Sequence, residues 1–128
     1  MWLRNRRFGG KKFDEKDDYP DRILPLAMAM SNGEVEKGIA VYGSGVGAAI
    51  VANKLPGVCA ALITGTYSAR QGVEHNDMNI WCIGGRVVGS ALAMKIVEAF
   101  LAAEYIGKGR FQRRLGKLMQ IENKYLKS

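Results

Sequence analysis

Residues 38–54, GIAVYGSGVGAAIVANK, constrain the fold more tightly than any other stretch of this chain. The β-forming run Ile39, Ala40, Val41 and Tyr42 leads into Gly43-Ser44-Gly45-Val46-Gly47, and an apolar helical pattern follows at once. A strand, a glycine turn and a helix start, in that order, present unpaired backbone N–H groups and the positive end of a helix dipole to an anion. Glycine suits such a turn because it has no side chain to obstruct a ligand and tolerates positive φ. The pattern points to a phosphate, with a ligand-free strand–helix turn as the alternative. It does not say whose phosphate.

The nucleotide readings of this loop fare poorly. Gly43-Ser44-Gly45-Val46-Gly47-Ala48 meets the loose G-x-G-x-x-A pattern, but a dinucleotide site also needs an acidic residue about 20 positions on. The next strand, Cys59-Ala60-Ala61-Leu62-Ile63-Thr64-Gly65, carries none. A P-loop needs Gly-Lys-Ser/Thr to close the glycine run, and that is absent too.

Periodicity organises the rest. Residues 1–17 are basic, then acidic, without a repeat, and read as an irregular basic arm ahead of a single α/β domain over 18–128. Asp18-Tyr19-Pro20-Asp21 opens a helix, with proline and acid suited to its first turn. Ile23, Leu24, Leu26, Ala27 and Met30 form its apolar stripe, and Ser31-Asn32-Gly33 ends it. A strand over 38–42, a helix over 46–54, a strand over 58–64 and a helix from Thr66 to about Asn76 come next. The third strand, 79–84, is apolar on both faces, as a central parallel strand is. Helices over 90–105 and 110–126 complete the chain. Alternating strands and helices mean right-handed βαβ units and a parallel sheet covered on both faces. Three strands are few for a doubly wound sheet; a further βα unit is expected ahead of residue 18, and these residues leave no room for it.

Composition excludes several classes. The 128 residues carry a net charge of +7, but the excess sits at the two ends. Arg4, Arg6, Arg7, Lys11 and Lys12 lie at the start, and Lys108, Arg110, Arg113, Arg114, Lys117, Lys124 and Lys127 near the finish. No RNA- or DNA-binding motif interleaves aromatics with these bases, so nucleic acid is not the expected partner. No apolar run has the length of a membrane span and the start lacks a signal-peptide pattern, so a cytoplasmic protein without a membrane partner is expected. Cys59 and Cys82 sit in apolar, strand-like runs and read as reduced thiols.

In a parallel sheet, ligands bind beyond the carboxyl ends of the strands. Gly43–Gly47, Thr64–Ser68 and Gly84-Gly85-Arg86 are expected to converge there. Glu74-His75-Asn76-Asp77 is a dense polar knot ahead of the third strand, and it holds the only histidine. His75 is either a structural residue or a proton carrier. Arg86, Arg110 and Arg114 can each fork onto a phosphate. Arg110 and Arg114, at i and i+4, share a helix face that is equally readable as solvated.

From Asp18 onward the chain resembles the family of ribose-5-phosphate isomerase B and galactose-6-phosphate isomerase subunits. The resemblance is carried by Asp18-Tyr19-Pro20-Asp21, Gly43-Ser44-Gly45-Val46-Gly47, Ala52-Asn53-Lys54, Pro56-Gly57 and Thr66-Tyr67-Ser68-Ala69. Further matches are Glu74-His75-Asn76-Asp77-x-Asn79, Gly84-Gly85-Arg86-Val87-Val88-Gly89 and Gly109-Arg110-x-x-x-Arg114. It implies a three-layer Rossmann-like α/β sandwich, dimeric or tetrameric, with sites at the dimer interface. Such an enzyme interconverts an aldose phosphate and a ketose phosphate without metal or nucleotide cofactor. By the same resemblance, His75 opens the sugar ring, and Asn76 with the amides of Gly43, Gly45, Val46 and Gly47 stabilises the enediolate oxygens. Ser44 takes part in proton transfer, and Arg86, Arg110 and Arg114 hold the phosphate, in part across the interface. Fixed donors where negative charge develops and arginine forks for a dianion are what this chemistry needs.

Three departures accompany the matches. The family begins with a strand ending in Asp-His-Ala-Gly, then a helix and a second strand; residues 1–17 hold no such segment, so the chain reads as N-terminally truncated relative to the family. The base that removes the C2 proton is a cysteine just before the glycine loop or a glutamate just after it; here those positions are Tyr42 and Ala48. Tyrosine, with a pKa near 10, is a poor base at neutral pH unless perturbed. Phe111 stands where a histidine usually follows the first phosphate arginine. Two functions stay open: an isomerase with an altered base, and a non-catalytic subunit that binds phosphosugars or pairs with an active homologue.

Overall fold

The computed structural model describes residues 18–126; the basic arm read over residues 1–17 lies outside them. Five helices and three strands alternate along the described residues, in the order α1 (Tyr19–Ser31), β1 (Gly38–Tyr42), α2 (Val46–Ala52), β2 (Ala60–Leu62), α3 (Thr66–Asn76), β3 (Ile80–Gly84), α4 (Ser90–Ala102) and α5 (Gly109–Tyr125). The α/β class and the order of elements are those expected.

The strands are all parallel, in the order β1-β3-β2. The last strand in sequence therefore takes the middle place. All five of its residues are buried, which fits a strand with neighbours on both edges and helices on both faces. Ile80 and Cys82 point into a core shared with Ile23, Leu26 and Met30 of α1 and Ala48 and Ala52 of α2. Trp81 and Ile83 point the other way, into a core built from Ala69 and Val73 of α3 and Ile96 and Phe100 of α4. Burying a side chain the size of Ile80 or Phe100 contributes about 1.5–3 kcal/mol. The two cores make three layers, with β3 as the partition. Among the described residues no strand pairs with the outer edge of β1, where Ile39 and Val41 are 37% and 63% exposed.

Several elements end earlier than their periodicity predicts, and side chains explain where. The strand expected over 58–64 shrinks to Ala60–Leu62. Before it, Asn79 takes over the backbone: its side chain accepts from the Cys59 N–H at 2.8 Å and donates to the Gly57 carbonyl at 2.9 Å. After it, the Ile63 carbonyl accepts from the Trp81 indole N–H at 3.0 Å. The helix expected to reach residue 54 stops at Ala52. The Asn53 side chain then both donates to the Ala60 carbonyl and accepts from the Ala60 N–H, each at 2.8 Å. An asparagine thus fills the place of a missing edge strand. The helix expected over 90–105 stops at Ala102, where the chain turns extended at Ala103.

The helix α5 is packed differently from the rest. None of its residues is buried. It is held through Phe111 against His75, through the Phe111 carbonyl, which accepts from the Tyr105 hydroxyl at 3.2 Å, and through Glu122, which accepts from the Gly57 N–H at 2.7 Å. Both cysteines are free thiols, as read from the sequence.

Candidate active site

At the carboxyl end of the sheet, β1 and β3 are joined beyond their last residues. The Gly85 N–H donates to the Tyr42 carbonyl at 2.7 Å, and the Arg86 N–H to the Gly43 carbonyl at 3.1 Å. This brings Arg86 beside the glycine loop, as the sequence leads one to expect. The glycines themselves have a different reason from the one anticipated. Gly45 sits at φ +84°, and a Cβ there would stand 2.7 Å from Leu62 Cδ1 and 3.2 Å from the Ile83 carbonyl carbon. A Cβ at Gly47 would stand 2.7 Å from the Tyr19 ring, and one at Gly84 2.6 Å from the Ser44 oxygen. These three glycines serve contacts within the chain. Only Gly43 keeps an open side, with Arg86 as its nearest neighbour at 3.9 Å. Ser44 is exposed, and its hydroxyl oxygen lies 3.4 Å from the Val46 N–H that opens α2.

Tyr42 closes β1 and is half-buried. Burial pushes its hydroxyl above the ordinary value for tyrosine, with the Arg22 guanidinium opposing and the Cys82 thiol adding to the effect. At neutral pH the phenol keeps its proton. Ala48, the other position where the resemblance seeks a base, is buried under the loop at 2% exposure.

His75 and Asn76 lie elsewhere. The helix α3 starts at Thr66, beyond the carboxyl end of β2, and runs back to Asn76. Asp77 then adopts a left-handed conformation, φ +54°, so that the Met78 N–H returns to the Gly72 carbonyl at 3.1 Å before β3 begins. His75 and Asn76 are therefore at the amino end of β3, and Gly84, Gly85 and Arg86 at its carboxyl end. A five-residue strand separates the two by about 17 Å.

The beginning of α5 joins His75 at this second end. The imidazole stacks on the Phe111 ring with centroids 4.3 Å apart and planes 22° from parallel. The Arg110 guanidinium carbon lies 4.6 Å from the centroid of the same ring. Phe111 thus links the imidazole and the guanidinium, contacts worth about 0.5–1.5 kcal/mol each. Arg114 comes one turn later and is exposed. The chain brings Tyr42, Ser44, the glycine loop and Arg86 together at one end, and His75, Asn76, Arg110 and Arg114 together at the other. It does not bring the two groups to each other.

Two residues at these ends escaped the sequence reading in this role. Tyr19 was legible only as part of a helix start, yet its ring covers Gly47. Phe111 was visible as a departure from a family pattern, and nothing in its spacing announced the stack on His75. Cavity volume does not mark the site either. Grooves of about 320 and 410 Å³ run along β2, α3 and α5, sharing Cys59, Ala60 and Asn76, and neither is lined by the glycine loop.

The geometry first defines a class: a three-layer α/β sandwich with a glycine loop and an arginine at one sheet end and a histidine–asparagine pair with helical arginines at the other. Comparison then narrows it. Residues 4–118 match the family described as Ribose/Galactose Isomerase. The ribose-5-phosphate isomerase B of Escherichia coli is 44% identical over 110 residues, covering 86% of this chain and 73% of that protein. The solved structure of Clostridium thermocellum ribose-5-phosphate isomerase B superposes with a TM-score of 0.84 at 47% identity, covering 91% of this chain and 78% of that one. That of the Mycoplasma genitalium enzyme, which holds bound ribulose 5-phosphate, gives a TM-score of 0.81 at 37% identity, covering 90% and 76%. The chain belongs to the ribose/galactose isomerase family.

Proposed function

We propose that this protein interconverts an aldose phosphate and a ketose phosphate of the ribose 5-phosphate and ribulose 5-phosphate type, through an enediolate, at sites formed between two copies of the chain. The observation that carries the reading is the division of the residues the chemistry needs. The loop at one sheet end and the His75, Asn76, Arg110 and Arg114 group at the other are each half of a site, and a symmetric pair of chains can complete both halves twice. In this reading His75 moves the proton that opens the ring. Asn76 and the amides of Gly43, Gly45, Val46 and Gly47 hold the enediolate oxygens as charge develops. Ser44 relays a proton, and Arg86, Arg110 and Arg114 clamp the phosphate. Tyr42 stands at the position of the base and acts as the minor phenolate fraction.

A second reading is favoured by Tyr42 itself. A buried phenol raised above its ordinary value, with alanine at the other base position, suits a subunit that binds phosphosugars without turning them over. One assay separates the two. The purified 128-residue chain is given ribose 5-phosphate, allose 6-phosphate and erythrose 4-phosphate, and ketose formation is followed beside calorimetric binding. Turnover supports the isomerase. Binding without turnover, and without exchange of the C2 proton into solvent, establishes the binding subunit in its place.

A further inference from the structure

We propose that Lys37, which belongs to neither half of the site, is a positioning residue for His75 and Arg110, acting by clamping the end of α4. Lys37 immediately precedes β1, and its side chain reaches across to the other core. The ammonium donates to the carbonyls of Phe100 at 2.8 Å, Ala103 at 2.7 Å and Leu101 at 3.3 Å. It also lies 5.3 Å over the Phe100 ring. An ammonium has three protons, and each has an acceptor here.

The helix α4 needs this help. At the ends of α1, α2, α3 and α5 a backbone N–H of the capping residue turns back onto the helix carbonyls. The α4 terminus has no such bond: Ala103 is extended, with φ −74° and ψ 146°, and the last turn carries no basic residue of its own. Its final carbonyls are orphan acceptors at the negative end of the helix dipole. Lys37 supplies both the donors and the charge, from a residue 63–66 positions earlier in the chain. Burial lowers the ammonium from its ordinary value, and the carboxylates of Glu104, Asp77 and Glu36 oppose that shift.

The connection between α4 and α5 builds the second half of the site. The Ile106 N–H donates to the Glu74 carbonyl at 3.0 Å, next to His75. The Tyr105 hydroxyl donates to the Phe111 carbonyl at 3.2 Å. Gly107 and Gly109, at φ +63° and +54°, turn the chain into α5. Residues 103–109 thus touch the last turn of α3 and the first turn of α5, and their starting point is the carbonyl trio gripped by Lys37. Releasing that grip lets the connection drift, and with it the Phe111 ring that lies between His75 and Arg110. A displacement of about 1 Å at a positioning contact is enough to cost substantial rate.

The role in turnover rests on the isomerase reading, so the test has an arm that does not. His75 is the only histidine, and its imidazole C–H resonances report the Phe111 ring current without ambiguity. They are recorded for the untagged wild type, Lys37→Met, Lys37→Arg and Phe111→Leu, together with amide hydrogen exchange. Lys37→Met is expected to keep the exchange protection of β3 and to speed exchange at Ile106 by about tenfold. It should also move the His75 resonances toward their positions in Phe111→Leu, and Lys37→Arg should restore both. In the isomerase assay, Lys37→Met should raise KM for ribose 5-phosphate more than it lowers kcat. Unchanged His75 resonances and Ile106 exchange in Lys37→Met overturn the proposal, whatever the assay shows. An inactive wild type overturns the isomerase reading and leaves the spectroscopic result to decide the clamp. If Lys37→Met does not fold, Lys37→Gln is measured in its place, and wild-type spectra there overturn the clamp equally.

Discussion

The His75 imidazole lies on the Phe111 ring at 4.3 Å, joining the last turn of α3 to the first turn of α5. Through Phe111 the histidine and Arg110 become one unit, 4.6 Å separating the guanidinium carbon from the same ring centroid. If His75 opens the sugar ring and Arg110 holds the phosphate, as proposed, the two are held in register by a side chain that does neither job.

If His75 opens the sugar ring, its loss should matter only where there is a ring. His75→Ala is expected to slow turnover of ribose 5-phosphate by about 10²-fold or more, the usual scale of general acid–base catalysis. Erythrose 4-phosphate, too short to form the same closed ring with its phosphate in place, should lose far less. Comparable losses in kcat on both substrates would remove the role.

If the site is divided between the sheet ends of two chains, as proposed, mixed oligomers should show it. Arg86→Ala damages the loop half and His75→Ala the other, and each alone should be nearly inactive. Unfolded together and refolded at equal ratio, they should recover about a quarter of wild-type activity, because half the dimers are hybrids with one intact site in two. No recovery, with hybrid dimers demonstrated by mass spectrometry, would put both halves in the same chain's site.

The glycines at this sheet end should separate by what their missing side chains face. Gly84→Ala brings a Cβ to 2.6 Å from a backbone oxygen, that of Ser44, and is expected to cost about 1–3 kcal/mol in denaturant unfolding. Gly43→Ala meets nothing closer than 3.9 Å. It should stay near wild-type stability while weakening sugar-phosphate binding. Equal stability losses at the two positions would contradict the packing described.

If Tyr42 is the base, the rate should depend on pH in a defined sense. Burial raises its hydroxyl above the ordinary value of 10.0, so the phenolate fraction is small at neutrality and grows as pH rises toward that shifted value. A reaction that uses the phenolate as base should accelerate with pH throughout the range from about 7 to 9. Tyr42→Phe should abolish C2 proton exchange while leaving binding intact. A flat pH profile, or exchange that survives in Tyr42→Phe, would move the base to Glu74 or a bound water.

Much of this molecule was legible locally. The strand, glycine loop and helix over residues 38–52, the apolar run of β3 and the stripe of α1 come from periodicity and from glycine chemistry, which act over a few residues. Family resemblance named candidate site residues because it rests on short motifs. Other features were out of reach, because each depends on partners distant in sequence. Asn53 replacing an edge strand at Ala60, and Asn79 ending β2 early, are side chains competing with the ladder for backbone groups.

By itself, then, the sequence determined the class of fold, the order of its elements and the candidate residues for the proposed phosphosugar chemistry, since these are written in local pattern and residue type. Only the tertiary structure decided that those residues sit in two groups at opposite ends of one sheet. A helix following a parallel strand must run back across the sheet, carrying the end of α3 away from the loop at its start. The same long-range packing made Phe111 the support of His75, and made Lys37 the cap of a helix that has none of its own.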